Sequence, residues 1–144
     1  MALVTKDSTT LHASLPATQQ EVFALLTDPA RIPQWLQGCR AVSPLTPIKK
    51  GTRLNIEFAR GTTEFIITDF VPGSTFGWTE HGARQGTMTH FKLEFAGSTT
   101  TVTMRMTWAP KTLRAWVLGT ILRRRSARRM FDTAMIELRR LLNR

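Results

Sequence analysis

The sequence predicts an α+β architecture, a mostly antiparallel sheet packed against one long C-terminal helix. Three observations carry this reading. Between Cys39 and Trp108, short runs alternate apolar and polar residues and are separated by Gly- and Pro-containing turns, the pattern of half-buried antiparallel strands. After Pro110 the period becomes helical. Leu113, Trp116, Val117, Thr120, Phe131, Ala134, Met135, Leu138 and Leu142 then fall within about 120° on a helical wheel. That stripe must bury against something, and the sheet is the only large partner available.

The elements follow in order. Residues 8–15 form a strand in which Leu11, Ala13 and Leu15 alternate with His12 and Ser14. Pro16 ends it. Thr18 suits an N-cap, and Glu21 three residues on completes a capping box. Val22, Phe23, Leu25 and Leu26 supply that helix's buried face. Asp28-Pro29 breaks it and starts a short helix, 30–36, which contains Trp35. Strands are then predicted at 53–58, 63–71, 75–80, 87–95 and 100–108, about six to seven in the whole sheet. Pro72-Gly73 turns the chain before 75–80, and His81-Gly82 with Gln85-Gly86 brackets the next turn. The last two strands pair across Gly97-Ser98. Thr112 caps the final helix, in which Gly119 is a weak point.

Composition bounds the rest. With 144 residues, 42% of them hydrophobic and 21% charged, the chain reads as one globular domain, 1–144, and not as a disordered or fibrous segment. No internal repeat, low-complexity run or linker divides it. The single cysteine, Cys39, forms no internal disulfide. No run approaches the ~20 apolar residues of a membrane span, and residues 1–20 lack the apolar core of a signal peptide. The expectation is a soluble, cytoplasmic domain.

The net charge of +10 is concentrated at one end. Residues 1–110 hold 10 Lys and Arg against 8 Asp and Glu, whereas 111–144 hold 10 against 2. Within the latter, Arg123, Arg124, Arg125, Arg128 and Arg129 fall inside seven residues. They read as a solvated helix face, or as a surface for phosphate-rich partners: an anionic membrane, or nucleic acid.

In element order and in several short motifs the sequence resembles the START/Bet v 1-like helix-grip superfamily (SRPBCC), which includes the polyketide cyclase/dehydrase and lipid-transport proteins. The residues that carry the likeness are Leu15-Pro16-Ala17 into Glu21-Val22-Phe23, then Thr27-Asp28-Pro29-Ala30, Pro33-Gln34-Trp35 and Lys50-Gly51-Thr52. The resemblance implies a curved sheet gripping the C-terminal helix, with a cavity between them that holds an apolar or amphipathic small molecule. A few relatives act on polyketides there, and one helix-grip relative is a ribosome-association toxin.

Strand parity selects candidate ligand-binding residues. Phe58, Phe76, Trp78, Phe91, Phe95, Met104 and Met106 fall on the prospective inner face, and Trp116 and Arg124 on the helix stripe. Any of the apolar ones can equally be simple core. The methionines suit an adaptable apolar site. Arg124 lies at about 20° on the stripe, where an arginine is costly unless paired; a bend at Gly119 would instead turn it outward.

Glu80 and Arg60 are in phase with apolar faces at strand ends. They can pair at a cavity mouth, hold a ligand or reach solvent, and they are the weak candidates for cyclase-like catalysis. His90 shares parity with Lys92 and Glu94 and is expected to face outward. No metal-ligand spacing, Walker loop, GxGxxG or nucleophile elbow occurs, so no metal or cofactor is expected. Leu118 and Leu122 lie off the buried stripe, at about 140° and 180°, beside the arginine cluster. The sequence therefore points first to small-molecule binding, second to an interaction helix, and third to catalysis.

Overall fold

The computed structural model describes residues 7–81, 87–108 and 113–143, excluding the side chains of 7, 113–121 and 123. The chain runs β1 (Asp7–Leu15), α1 (Gln19–Thr27), α2 (Ile32–Trp35), β2 (Ala41–Ser43), β3 (Arg53–Phe58), β4 (Gly61–Val71), β5 (Thr75–His81), β6 (Met88–Ala96), β7 (Thr99–Trp108) and α3 (Leu113–Leu142). The predicted turn at 82–86 and the helix start at Pro110 and Thr112 lie outside the described residues. Seven strands form one curved antiparallel sheet in the order β1-β7-β6-β5-β4-β3-β2. Strands β2 to β7 meander, and β1 closes onto the free side of β7.

The first helix begins as its sequence dictates. Thr18 Oγ1 accepts from the Glu21 backbone N–H at 3.2 Å, and Glu21 Oε1 accepts from the Thr18 backbone N–H at 3.2 Å. These bonds satisfy donors that a helix start otherwise leaves open. Helix α2 is shorter than predicted, a single turn ending at Trp35. Strand β2 has three residues with only Val42 buried, too little alternation to be read in advance.

Register aligns the inner residues in rows across the sheet. One row is Phe70, Phe76, Phe91, Met104 and Leu11, and the next is Ile67, Trp78, Thr89, Met106 and Thr9. A β-bulge at Thr68 keeps β4 consistent with these rows. Strict alternation would put Asp69 in the core with Phe65 and Ile67. The extra residue instead turns Asp69 outward and Phe70 inward.

The outward carboxylate then reaches over Gly77 on β5 and accepts a hydrogen bond at 2.8 Å from His90 Nε2 on β6. Gly77 makes this reach available, since a Cβ there would sit 3.2 Å from His90 Cδ2 and 3.3 Å from the Thr89 carbonyl oxygen. Gly77→Val is expected to lower unfolding stability by about 1–3 kcal/mol. Chemical denaturation checks this, and an unchanged midpoint contradicts it.

The Thr75 hydroxyl and His90 hold the Asp69 carboxyl below its ordinary pKa, against an opposing contribution from burial. Thr75 Oγ1 makes no hydrogen bond in strict geometry, so the directional contact is that of His90. A depressed folded pKa means that the ionised carboxylate stabilises the fold above the unfolded value of about 3.9. That contribution is lost as pH falls through the folded value. Asp69→Asn is thus expected to reduce the loss of stability between about pH 5 and about pH 2. An unaltered pH slope in urea unfolding contradicts the assignment.

Helix α3 lays its C-terminal half against the concave face. Ala127, Phe131, Ala134, Met135 and Leu138 are buried, and Leu142 is half-buried. Arg139 donates to the Ser14 carbonyl oxygen at 3.1 Å, tying this end of α3 to the end of β1. Among the described side chains of α3 the buried set begins at Ala127. Arg124, one turn earlier and in phase with Phe131 and Leu138, is exposed, as are Leu122, Arg125 and Ser126.

Candidate functional site

The concave face has two unlike halves. Toward the end of β1 it is sealed. Phe76, Phe91 and Met104 are at most 1% exposed, and Trp35 from α2 packs on Phe91. The Trp35 ring meets Phe91 edge-on at 5.9 Å and stacks on Trp78 at 6.2 Å. Its indole N–H donates to the Leu25 carbonyl oxygen at 3.1 Å. Phe76 and Phe91 stack at 6.0 Å beneath it. These three predicted ligand contacts are buried in the core, and Trp35 takes the space beside Phe91.

Toward the far end, where β7 leads to α3, the face is less fully covered. Met106 and Phe58 on the inner parity are half-buried, and Glu80 joins them at the end of β5. Trp78, 3% exposed, forms the floor between the halves and contacts Phe65 at 5.0 Å. Glu80 pairs with Phe65 in register, and its backbone N–H donates to the Thr87 carbonyl oxygen at 2.9 Å. One step beyond the Met88–Thr107 pair, Thr87 stands opposite Trp108. The outermost row is thus Leu54, Phe65, Glu80, Thr87 and Trp108, apolar at one side and polar at the other. Thr89 adds a polar group in the next row; at the opposite end of the same face the buried Thr100 hydroxyl is taken up by the Ala17 carbonyl oxygen at 2.6 Å. Arg124 occupies the sheet-facing phase of α3 and makes an interaction of its own.

Phe95 is the clearest departure from the predicted lining. Its parity is as expected, but it is 47% exposed. Strand β5 begins at Thr75 opposite Lys92, so at Phe95 strand β6 is flanked on one side only, by Thr100 of β7. The side chains of Trp116 and Arg123 lie outside the described residues. The lining contribution of Trp35 was not read from the sequence; Pro33-Gln34-Trp35 signalled a packed corner, not which rings it would meet.

Glu80 and Arg60 are not brought together. Arg60 sits exposed in the turn between β3 and β4. Gly61 beyond it is about 13 Å along β4 from Phe65, the partner of Glu80, at ~3.3 Å per residue. Cys39 is half-buried, and burial raises its thiol pKa, an effect its contact with Ala41 partly offsets. It is therefore a poor thiolate nucleophile at neutral pH. Among the described residues no group of three or more His, Cys, Asp or Glu could hold a metal ion.

Two surface features complete the description. A groove of about 350 Å³ lies between the α1–α2 corner, at Ala24, Thr27 and Pro29, and the β2–β3 loop, at Leu45, Pro47 and Ile48. None of the predicted ligand residues lines it. On α3, Arg125, Arg128 and Arg129 are exposed, and no carboxylate pairs with them among the described residues. No described helix is long and apolar enough to cross a membrane.

Known proteins share this architecture. The structure superposes on DynU16, a protein of the dynemicin biosynthetic locus, with TM-score 0.70 and 22% identity over 95% of this chain. The chain spans 47% of DynU16's length. MLL2253 from Mesorhizobium loti gives TM-score 0.74 at 19% identity, covering 95% of this chain and 97% of its own. Ara h 8.0201 gives 0.68 at 13% identity, covering 93% and 98%. At such identities the likeness is one of fold. None of the curated proteins compared by sequence matches the chain. The sequence pattern of one family does match, over residues 6–142, nearly the whole described chain. The chain belongs to the polyketide cyclase / dehydrase and lipid transport family.

Proposed function

We propose that this protein binds an apolar or amphipathic small molecule, lipid-like or polyketide-like, against the far half of the concave face. One observation carries the reading. Toward the end of β7 and β3 the inner face keeps half-buried apolar side chains, Met106 and Phe58, beside a row that ends in polar groups. A mostly apolar site with a few convergent polar groups is the usual form of a small-molecule pocket. Family membership supports the same class of ligand. The test is uptake of 2-ethylnaphthalene measured by equilibrium dialysis, in the native protein and in Met106→Glu. Uptake by the native protein and its loss in the folded variant are expected. No uptake, or equal uptake by both, contradicts the reading.

A second reading concerns how such a protein meets its ligand's source. Leu122, Arg125, Arg129 and Ile136 lie within about 60° on the wheel of α3. Leu122 is 65% exposed and Ile136 54%. Exposed apolar groups among unpaired arginines suit an anionic bilayer surface, where each arginine contributes ~1 kcal/mol at low salt. Binding to vesicles containing phosphatidylserine, absent on pure phosphatidylcholine and lost in R125E/R128E/R129E, is the expected result. Retained binding by the triple variant, or co-purification with nucleic acid in place of vesicle binding, rules the membrane reading out.

A further inference from the structure

Among the described residues, three buried side-chain polar atoms have no hydrogen-bond partner: Thr75 Oγ1, Thr79 Oγ1 and Trp108 Nε1. The two hydroxyls share the outward parity of Gly77 on β5. Trp108 differs, because it ends the inward set Val102, Met104, Met106 of β7. It is 2% exposed. Trp35 provides the internal comparison. That indole is equally buried, and its N–H is bonded to the Leu25 carbonyl oxygen.

Buried polar groups in proteins are nearly always paired, and an unpaired donor forfeits about 1–3 kcal/mol. The polar end of a buried tryptophan is normally placed where it meets an acceptor. Here the partner is missing on the half of the sheet already assigned to a ligand.

We infer that the ligand presents an uncharged hydrogen-bond acceptor, a ketone, ester or hydroxyl oxygen, to the Trp108 indole N–H. This rests on the binding reading above and specifies the ligand's polar end. The indole is a donor only, so it selects an acceptor. It carries no charge, and burying an anion requires a cation beside it. The charged residues of the Trp108 row, Asp7 and Glu80, are acids, and Arg124 on the sheet-facing phase of α3 already makes an interaction of its own. A neutral oxygen therefore fits, with the apolar body of the ligand extending over Met106.

The test compares two probes of nearly equal size, 2-acetylnaphthalene and 2-ethylnaphthalene, by equilibrium dialysis. Trp108→Phe keeps an aromatic ring and removes the N–H. It is expected to weaken the acetyl probe about tenfold, equivalent to ~1.4 kcal/mol, and to leave the ethyl probe within about twofold. Equal weakening of both probes, or no change in either, overturns the indole assignment and leaves the binding reading standing. Failure of the native protein to bind either probe overturns both. Should the variant not fold, the indole N–H resonance of Trp108 in the native protein supplies the readout. It moves downfield with the acetyl probe and not with the ethyl one. The same response to both probes, or to neither, overturns the assignment.

Discussion

Trp35→Ala is expected to lower the free energy of unfolding by about 3–5 kcal/mol, the range for deleting a large aromatic side chain from a core. In a chain of this size that corresponds to a fall in Tm of roughly 10–15 °C. The ring is 1% exposed and contacts Trp78 and Phe91 from above the sheet. Its loss removes buried area, two aromatic contacts and the hydrogen bond to the Leu25 carbonyl oxygen. Helix α2 is a single turn and has little stability of its own. Without the tryptophan it loses its main anchor. Calorimetry checks the effect, and a Tm within about 3 °C of the native value contradicts the role given to this side chain.

The second large effect separates core from site. Met104 and Met106 lie two residues apart on the same strand and the same face. Met104 is fully buried, whereas Met106 is half-buried. Met104→Glu places a carboxylate where no cation or water reaches it. Its desolvation costs several kcal/mol, comparable to the whole stability of a small domain, and the variant is expected not to fold. Met106→Glu leaves the carboxylate a route to solvent. That variant is expected to fold and to lose at least tenfold in affinity for 2-ethylnaphthalene. Circular dichroism and dialysis on the two variants decide the matter. A folded Met104→Glu variant, or undiminished uptake by Met106→Glu, contradicts the division of the concave face into a sealed and an open half.

That division marks how far the sequence could be read. Strand parity placed Phe76, Trp78, Phe91, Met104 and Met106 on the inner face, and the structure agrees for each. Period-2 alternation reports which side of a sheet a residue faces, and nothing about what stands opposite. Trp35 comes from a separate element, so its packing on Phe91 and Trp78 has no local signal. Phe95 went wrong for a related reason: its parity held, but the neighbouring strand was too short to flank it. Arg124 shows the same limit on a helix. Its phase puts it with Phe131 and Leu138, yet its side chain is exposed where theirs are buried. The capping box at Thr18 and Glu21 was legible in full because both partners lie within one turn. The bulge at Thr68, which sends Asp69 to His90, had no such local mark.

The proposed function requires that a small molecule occupy the less covered half of the concave face. Native mass spectrometry of protein purified without detergent or solvent, before and after incubation with 2-acetylnaphthalene, tests it most directly. The expected spectrum contains the 16.3 kDa chain carrying a noncovalent species of a few hundred daltons, acquired from the cell or from the probe and released on denaturation. A spectrum of the bare chain alone under both conditions contradicts the claim.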